Sequence, residues 1–389
     1  MAKTKKKTKQ NPSVRNLRSV NIVLDISEPS RLQGYIPTAK SIELTKKVMS
    51  GLYNKSTERA FAAAAPYGSG KSSAALVWCA LAEGSLKSAA PALYAEVTKE
   101  LKKNGLDLST SKKAILSVPL QGFEESVSKQ VLDGLVTALK RRNLKSIVTK
   151  LKGLPRDIDG VIKAIETIQT FGGAKAKGIL IVWDEFGKLL EHGAAKGESK
   201  ALFEIQTLAE YVQRSTSDFP VQLCLLLHQS FSQYATNLPS YVKSEWSKIE
   251  GRFNRIDYIE DSKEIYNLIS EVASRPTSIS PKVATELAKK CHSLKVFKEF
   301  SQKALVEIIR KSAQLNPLSL YILPHLSARV GQNERTLFTF LCSDDRNGYL
   351  SYGGKETVTP DKVFDYFSDL MRTDTGVGGT HKLWAQLQN

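Results

Sequence analysis

Ala60-Phe61-Ala62-Ala63-Ala64-Ala65-Pro66-Tyr67-Gly68-Ser69-Gly70-Lys71-Ser72-Ser73-Ala74-Ala75-Leu76-Val77-Trp78 passes from an apolar strand signal through a glycine-rich turn into an apolar helix signal. The turn matches [AG]-x-x-x-x-G-K-[ST], the P-loop, in the strand-to-helix setting the motif requires. Gly68 and Gly70 let the backbone wrap round phosphate oxygens and aim N–H groups at them. The helix that starts at Lys71 adds the positive end of its dipole. Pro66, Tyr67, Gly68, Ser69, Gly70, Lys71, Ser72 and Ser73 are therefore the candidate nucleotide contacts, with Lys71 bridging the β- and γ-phosphates and Ser72 ligating Mg2+. Ala65 stands where the first glycine is usual, a small residue for a small residue. Average residue usage gives such a match by accident in roughly 3 of 100 chains of this length, and the flanking strand and helix lower that further.

Downstream, Ile179-Leu180-Ile181-Val182-Trp183-Asp184-Glu185 reads as a buried parallel strand that ends in two carboxylates, a Walker B pattern. Such a strand delivers Asp184 to the sheet end where the P-loop also lies, so Asp184 joins Ser72 as a candidate metal ligand. Glu185, one residue on, is the candidate base for the water attacking the γ-phosphate. A Glu next to the Asp favours ATP-hydrolysing enzymes with an added strand between the P-loop and Walker B strands. The run 114–120 supplies another strand of that sheet.

Val221-Gln222-Leu223-Cys224-Leu225-Leu226-Leu227 ends in His228-Gln229-Ser230. Gln229 is the first candidate to contact the γ-phosphate or orient the water, with His228 and Ser230 next to it. Further on, Arg252 and Arg255 flank a short strand signal at 255–259; either is a candidate arginine finger for a neighbouring subunit, Arg252 in preference. Arg329 and Arg335, in a helical region, are candidates to sense the nucleotide.

Working outward, the alternation of strand and helix signals predicts an α/β fold: a P-loop NTPase αβα sandwich with a parallel sheet, followed by a small helical lid subdomain. The expected divisions are a disordered basic tail at 1–19, a lead-in segment at 20–56, the ATPase core at 57–261, the lid at 262–345, and a tail or the start of a further region at 346–389. Within the lead-in, 20–24 reads as β-rich and 41–53 as a helix. The tail holds seven Lys and Arg and no acid, too little apolar surface to order itself.

The whole chain, 389 residues with 56 Lys+Arg against 39 Asp+Glu, has a net charge of +17 and a globular 41% hydrophobic content. That excludes collagen-like, fully disordered and disulfide-stapled readings. The longest apolar runs fall short of the roughly 18 residues a membrane span needs, no secretion signal follows the basic start, and a cytoplasmic protein without a membrane partner is expected. The four cysteines lie far apart and read as reduced core residues; Cys291-His292 has no partners at zinc spacing.

In this order these elements resemble an AAA+ ATPase of the kind with the added strand. More narrowly, Leu32-Gln33-Gly34-Tyr35-Ile36-Pro37-Thr38, the P-loop, Asp184-Glu185-Phe186-Gly187-Lys188, Leu227-His228-Gln229-Ser230-Phe231 and Gly331-Gln332-Asn333-Glu334-Arg335-Thr336-Leu337-Phe338 resemble the ATPase module of large prokaryotic phage-defence ATPases of the BREX type. The resemblance covers about residues 20–345. It implies ATP and Mg2+ as cofactors, a homo-oligomer, defence-system partner proteins, and Tyr35 and Ile36 as contacts to the adenine. Members of that family are usually longer than this chain.

The leading expectation is an AAA+ module that hydrolyses ATP to remodel or assemble on a partner, with DNA association resting on net charge alone. The alternative is a nucleotide-binding switch or scaffold with poor hydrolysis, against which Glu185 speaks. A GTPase reading lacks an N-K-x-D motif after the Walker B strand, and a small-molecule kinase lacks an identifiable acceptor pocket.

Overall fold

The computed structural model describes residues 20–54, 58–65, 69–108, 114–122, 126–196, 200–236, 240–258, 262–274, 279–330, 337–354, 356–373, 375 and 380–388. Contacts divide the chain into two compact units: residues 20–33 with 37–259, and residues 34–36 with 260–389.

The first unit is built on five strands: β1 (Ala60–Ala64), β2 (Leu116–Gln121), β3 (Ile179–Asp184), β4 (Val221–Leu227) and β5 (Asn254–Asp257). They form one parallel sheet in the order β2-β3-β4-β1-β5. β4 thus lies between the P-loop strand β1 and the acid-bearing strand β3, which is the inserted strand the sequence called for; β2 flanks β3 on the far side. Every residue of β3 and β4 is buried, as continuous aliphatic runs in a sheet covered on both faces must be. Trp183 is fully enclosed, its ring edge-on to Phe186 at 5.3 Å, and its indole N–H donates to the Gly122 carbonyl at 2.6 Å. Burying each such large side chain contributes about 1.5–3 kcal/mol, so the end of β3 is a firmly held platform.

The helix Lys71–Glu83 follows β1, and its small, apolar residues 74–82 are all buried. The lead-in helix Ala39–Tyr53 docks on it: the Trp78 indole donates to Thr45 Oγ1 at 3.0 Å and the Tyr53 hydroxyl to the Ala82 carbonyl at 3.2 Å. The lead-in begins with a helical turn, Ile22–Asp25, rather than the strand its apolar residues suggested. The Asn21 side chain accepts from the Val23 and Leu24 amides, and that capping overrides the β propensity of Val20, Ile22 and Val23.

The second unit is helical around an apolar core that includes Tyr266, Phe297, Leu305, Leu320 and Leu341. Tyr349, Val358, Val363 and Phe367 join the same core, so the described part of 346–389, expected as a tail or a new region, packs with the preceding helices. Its periodicity was hidden by two short polar, glycine-bearing connections. Among the described residues no helix is long and apolar enough to cross a membrane.

Candidate functional site

The site is assembled at the C-terminal ends of β1, β3 and β4. Gly70 precedes the helix Lys71–Glu83 with φ +82, a left-handed conformation that an L side chain adopts only with strain. The turn at this point therefore specifies glycine. Pro66, Tyr67 and Gly68 lie outside the described residues.

Lys71 is buried and folds back on its own loop, its ammonium donating to the Ala65 carbonyl at 2.6 Å and to Ser69 Oγ at 3.4 Å. Burial draws its pKa down to about 8, and the neighbouring Asp184 charge opposes the shift. Ser72 Oγ donates to Asp184 Oδ2 at 2.5 Å. Asp184 is 2% exposed and also accepts at Oδ1 from the Glu185 amide at 2.9 Å. Burial raises the Asp184 carboxyl pKa, while the Ser72 hydroxyl, the Glu185 N–H and the Lys71 charge favour its ionised form.

Glu185 has φ +55, unusual for a residue with a side chain and the kind of local strain that gathers at functional sites. Its Oε2 accepts from Lys188 Nζ at 2.6 Å in a partly exposed ion pair. Sequence reasoning gave Lys188 no role; the available signal was its i+3 spacing from Glu185 at a helix start.

At the end of β4, Gln229 is exposed and Ser230 opens the helical turn Phe231–Tyr234 by bonding with Gln233. His228 and Ser230 are both half-buried. Burial lowers the His228 pKa to about 4, the Lys71 and Lys188 cations act in the same direction, and Glu185 acts against them. The imidazole is therefore neutral at pH 7 and sits in the electrostatic field of the candidate site. Of the three strand-end candidates, His228 is the one whose ionisation is coupled to Lys71 and Glu185.

Arg252 lies two residues before β5, at the sheet end opposite the P-loop, paired with Glu210 at 3.2 Å. Arg255 is on the edge strand β5 itself and pairs with Asp257 at 3.0 Å. Neither belongs to the Lys71–Asp184 cluster of its own chain. Tyr35 and Ile36 group with the helical unit, Arg335 lies outside the described residues, and so does the side chain of Arg329.

A hydroxyl and a carboxylate already sharing one proton are a fitting oxygen pair for Mg2+, which takes one or two protein oxygens and fills its shell with water and phosphate. Among the described residues no cluster of three or more His, Cys, Asp or Glu side chains forms an all-protein metal cage.

No family model matches the chain. No curated protein matches it either. Among solved structures the chain is similar to the Aeropyrum pernix ORC2 protein in ADPNP–ADP complexes, at 12% identity and a TM-score of 0.36, over 89% of this chain and 84% of that one. It is also similar to the ADP form of that protein, at 14% identity and a TM-score of 0.35, over 90% and 92%. A third similarity is to a structure of Drosophila ORC bound to AT-rich DNA and Cdc6, at 12% identity and a TM-score of 0.29, over 94% of this chain and 50% of the other.

Proposed function

We propose that the chain binds ATP and hydrolyses it with Mg2+, as an AAA+ module with residues 57–261 as core and 262–345 as lid. The observation that supports this best is the convergence of Lys71, Ser72, Asp184 and Glu185 on one end of the sheet, with Ser72 and Asp184 in direct contact. On this reading the P-loop amides and the Lys71 ammonium hold the β- and γ-phosphates, and Ser72 and Asp184 hold the cation, which supplies charge neutralisation for the leaving phosphate. Glu185 accepts the proton of the attacking water, and neutral His228 or exposed Gln229 orients that water. Tyr35 and Ile36 contact the adenine, and Arg335 senses the nucleotide.

Arg252, remote from its own P-loop, acts on a neighbouring subunit, which makes the active form a homo-oligomer. Work on a partner protein of a BREX-like defence system, in the cytoplasm, is the biological setting the motif resemblance supports. Glu185→Gln tests the reading: ATP turnover falls by about 10²–10⁴-fold while nucleotide stays bound. Turnover that is low in the unaltered protein and unchanged in Glu185→Gln would instead favour the nucleotide-dependent switch.

A further inference from the structure

Within residues 260–389 there are 17 Lys and Arg against 15 Asp and Glu, yet residues 281–311 hold eight against three. The basic excess of that stretch is thus gathered on one helix pair, Pro281–Ser293 and Gln302–Lys311, and the turn between them. Arg310 is paired with Glu307 and Lys311 with Glu271. Lys282, Lys289, Lys290, Lys295, Lys298 and Lys303 are all exposed and have no carboxylate partner among the described residues. Glu286 and Glu299, also exposed, are the acids interspersed among them.

The lysines of the first helix share a face. Ala284, Ala288 and Cys291 are buried, and Lys282, Lys289 and Lys290 project from the opposite side at helical spacing. The helix ends in a Schellman turn, with Val296 N–H bonded to the Cys291 carbonyl at 3.1 Å and Lys295 N–H to that of His292 at 3.0 Å. The left-handed position of such a turn is normally glycine; here it is Lys295, at φ +60. Two residues on, Phe297 is again left-handed, at φ +57, and fully buried, its ring 4.9 Å from Tyr266 and 5.2 Å from Tyr321. A turn pinned by a buried aromatic thus presents Lys295 and Lys298 rigidly beside the lysines of the helix, and a charged side chain is kept where strain favours none.

We infer that this helix face and turn form a docking surface for the phosphate backbone of duplex nucleic acid. Lys282 and Lys289 are seven residues apart, about 10 Å along the helix, or roughly three steps of a strand rising 3.4 Å per phosphate. Phe297 and Phe300 are buried, so the stretch offers no exposed aromatic ring for stacking on unpaired bases, and the contact is to the backbone and independent of sequence. Ala284, Ala288 and Cys291 are buried, and the two exposed apolar side chains of the stretch, Val283 and Leu294, are too few to make the broad apolar face with which a helix enters a lipid surface.

The test is anisotropy of a labelled 30-base-pair duplex with the full chain, without ATP, across 50–200 mM KCl. The triple variant K289Q/K290Q/K295Q is expected to weaken binding about tenfold or more and to reduce the salt slope by about 3, at 0.9 per lost phosphate contact. K295G alone, which relieves the left-handed strain, is expected to raise the unfolding midpoint while weakening duplex binding, a combination that a purely structural lysine does not give. In the background of the tail variant K5Q/K6Q/K7Q, the triple substitution is expected to weaken binding by the same factor as in the wild type. An unchanged salt slope in the triple variant overturns the inference. So does binding to vesicles containing 30% phosphatidylserine with none to the duplex.

Discussion

Ser72 and Asp184, 112 positions apart in the chain, are joined by a 2.5 Å hydrogen bond at the mouth of the sheet. The bond requires the start of the P-loop helix and the end of β3 to meet, so it reports the site's assembly as well as its chemistry. Ser72→Ala leaves the buried Asp184 Oδ2 without this donor, which costs about 1–3 kcal/mol. A fall of several degrees in the unfolding midpoint of the ligand-free protein is expected, together with loss of Mg2+-dependent turnover. Calorimetry and a phosphate-release assay check the two halves.

Lys71 gives the site a pH signature. With its pKa near 8 when the site is free, the ammonium needed for phosphate loses its proton as pH rises through 8. Nucleotide affinity then falls, approaching tenfold per pH unit. The unfolded chain keeps that proton up to the ordinary lysine value of about 10.4. Between these values the unfolded state holds more protons, and stability of the free protein rises with pH. Opposite trends in affinity and stability above pH 8, from titrations and urea melts, are expected; affinity flat to pH 10 would remove Lys71 from the phosphate site.

The Glu185–Lys188 ion pair is partly exposed, and pairs of that kind contribute only about 0–1 kcal/mol. Lys188→Met is therefore expected to change turnover by no more than about fivefold. If it abolished turnover to the extent expected of Glu185→Gln, Lys188 would itself belong in the chemistry.

Arg252→Ala breaks another exposed pair, with Glu210, and is expected to leave the unfolding midpoint within about a degree or two. Turnover falls if the residue serves a neighbouring subunit, and activity is restored in part when Arg252→Ala is mixed with Lys71→Ala, because mixed assemblies combine an intact finger with an intact P-loop. Full activity of Arg252→Ala at a concentration where the protein is monomeric would exclude a finger acting in trans.

Much of this was legible in the chain. β4 spans the apolar run 221–227 without displacement and β3 ends on Asp184, because buried parallel strands are uninterrupted aliphatic segments with abrupt polar ends. Beyond the strand inserted between β1 and β3, the lateral order was not legible, since the places of β2 and β5 depend on crossovers that leave no local mark. Nor was the electrostatic coupling of His228 to Lys71 and Glu185, which depends on tertiary surroundings rather than on the strand-end pattern. The helical turn at Ile22–Asp25 depended on one Asn side chain that outweighs three β-favouring neighbours.

The most direct measurement is calorimetric titration of Mg2+–ATP into the unaltered protein and into Lys71→Ala. Saturable binding at one site per chain, weakened at least about a hundredfold by the substitution, is the expected result; equal affinity in the two proteins would contradict a triphosphate held between the P-loop and the acids of β3.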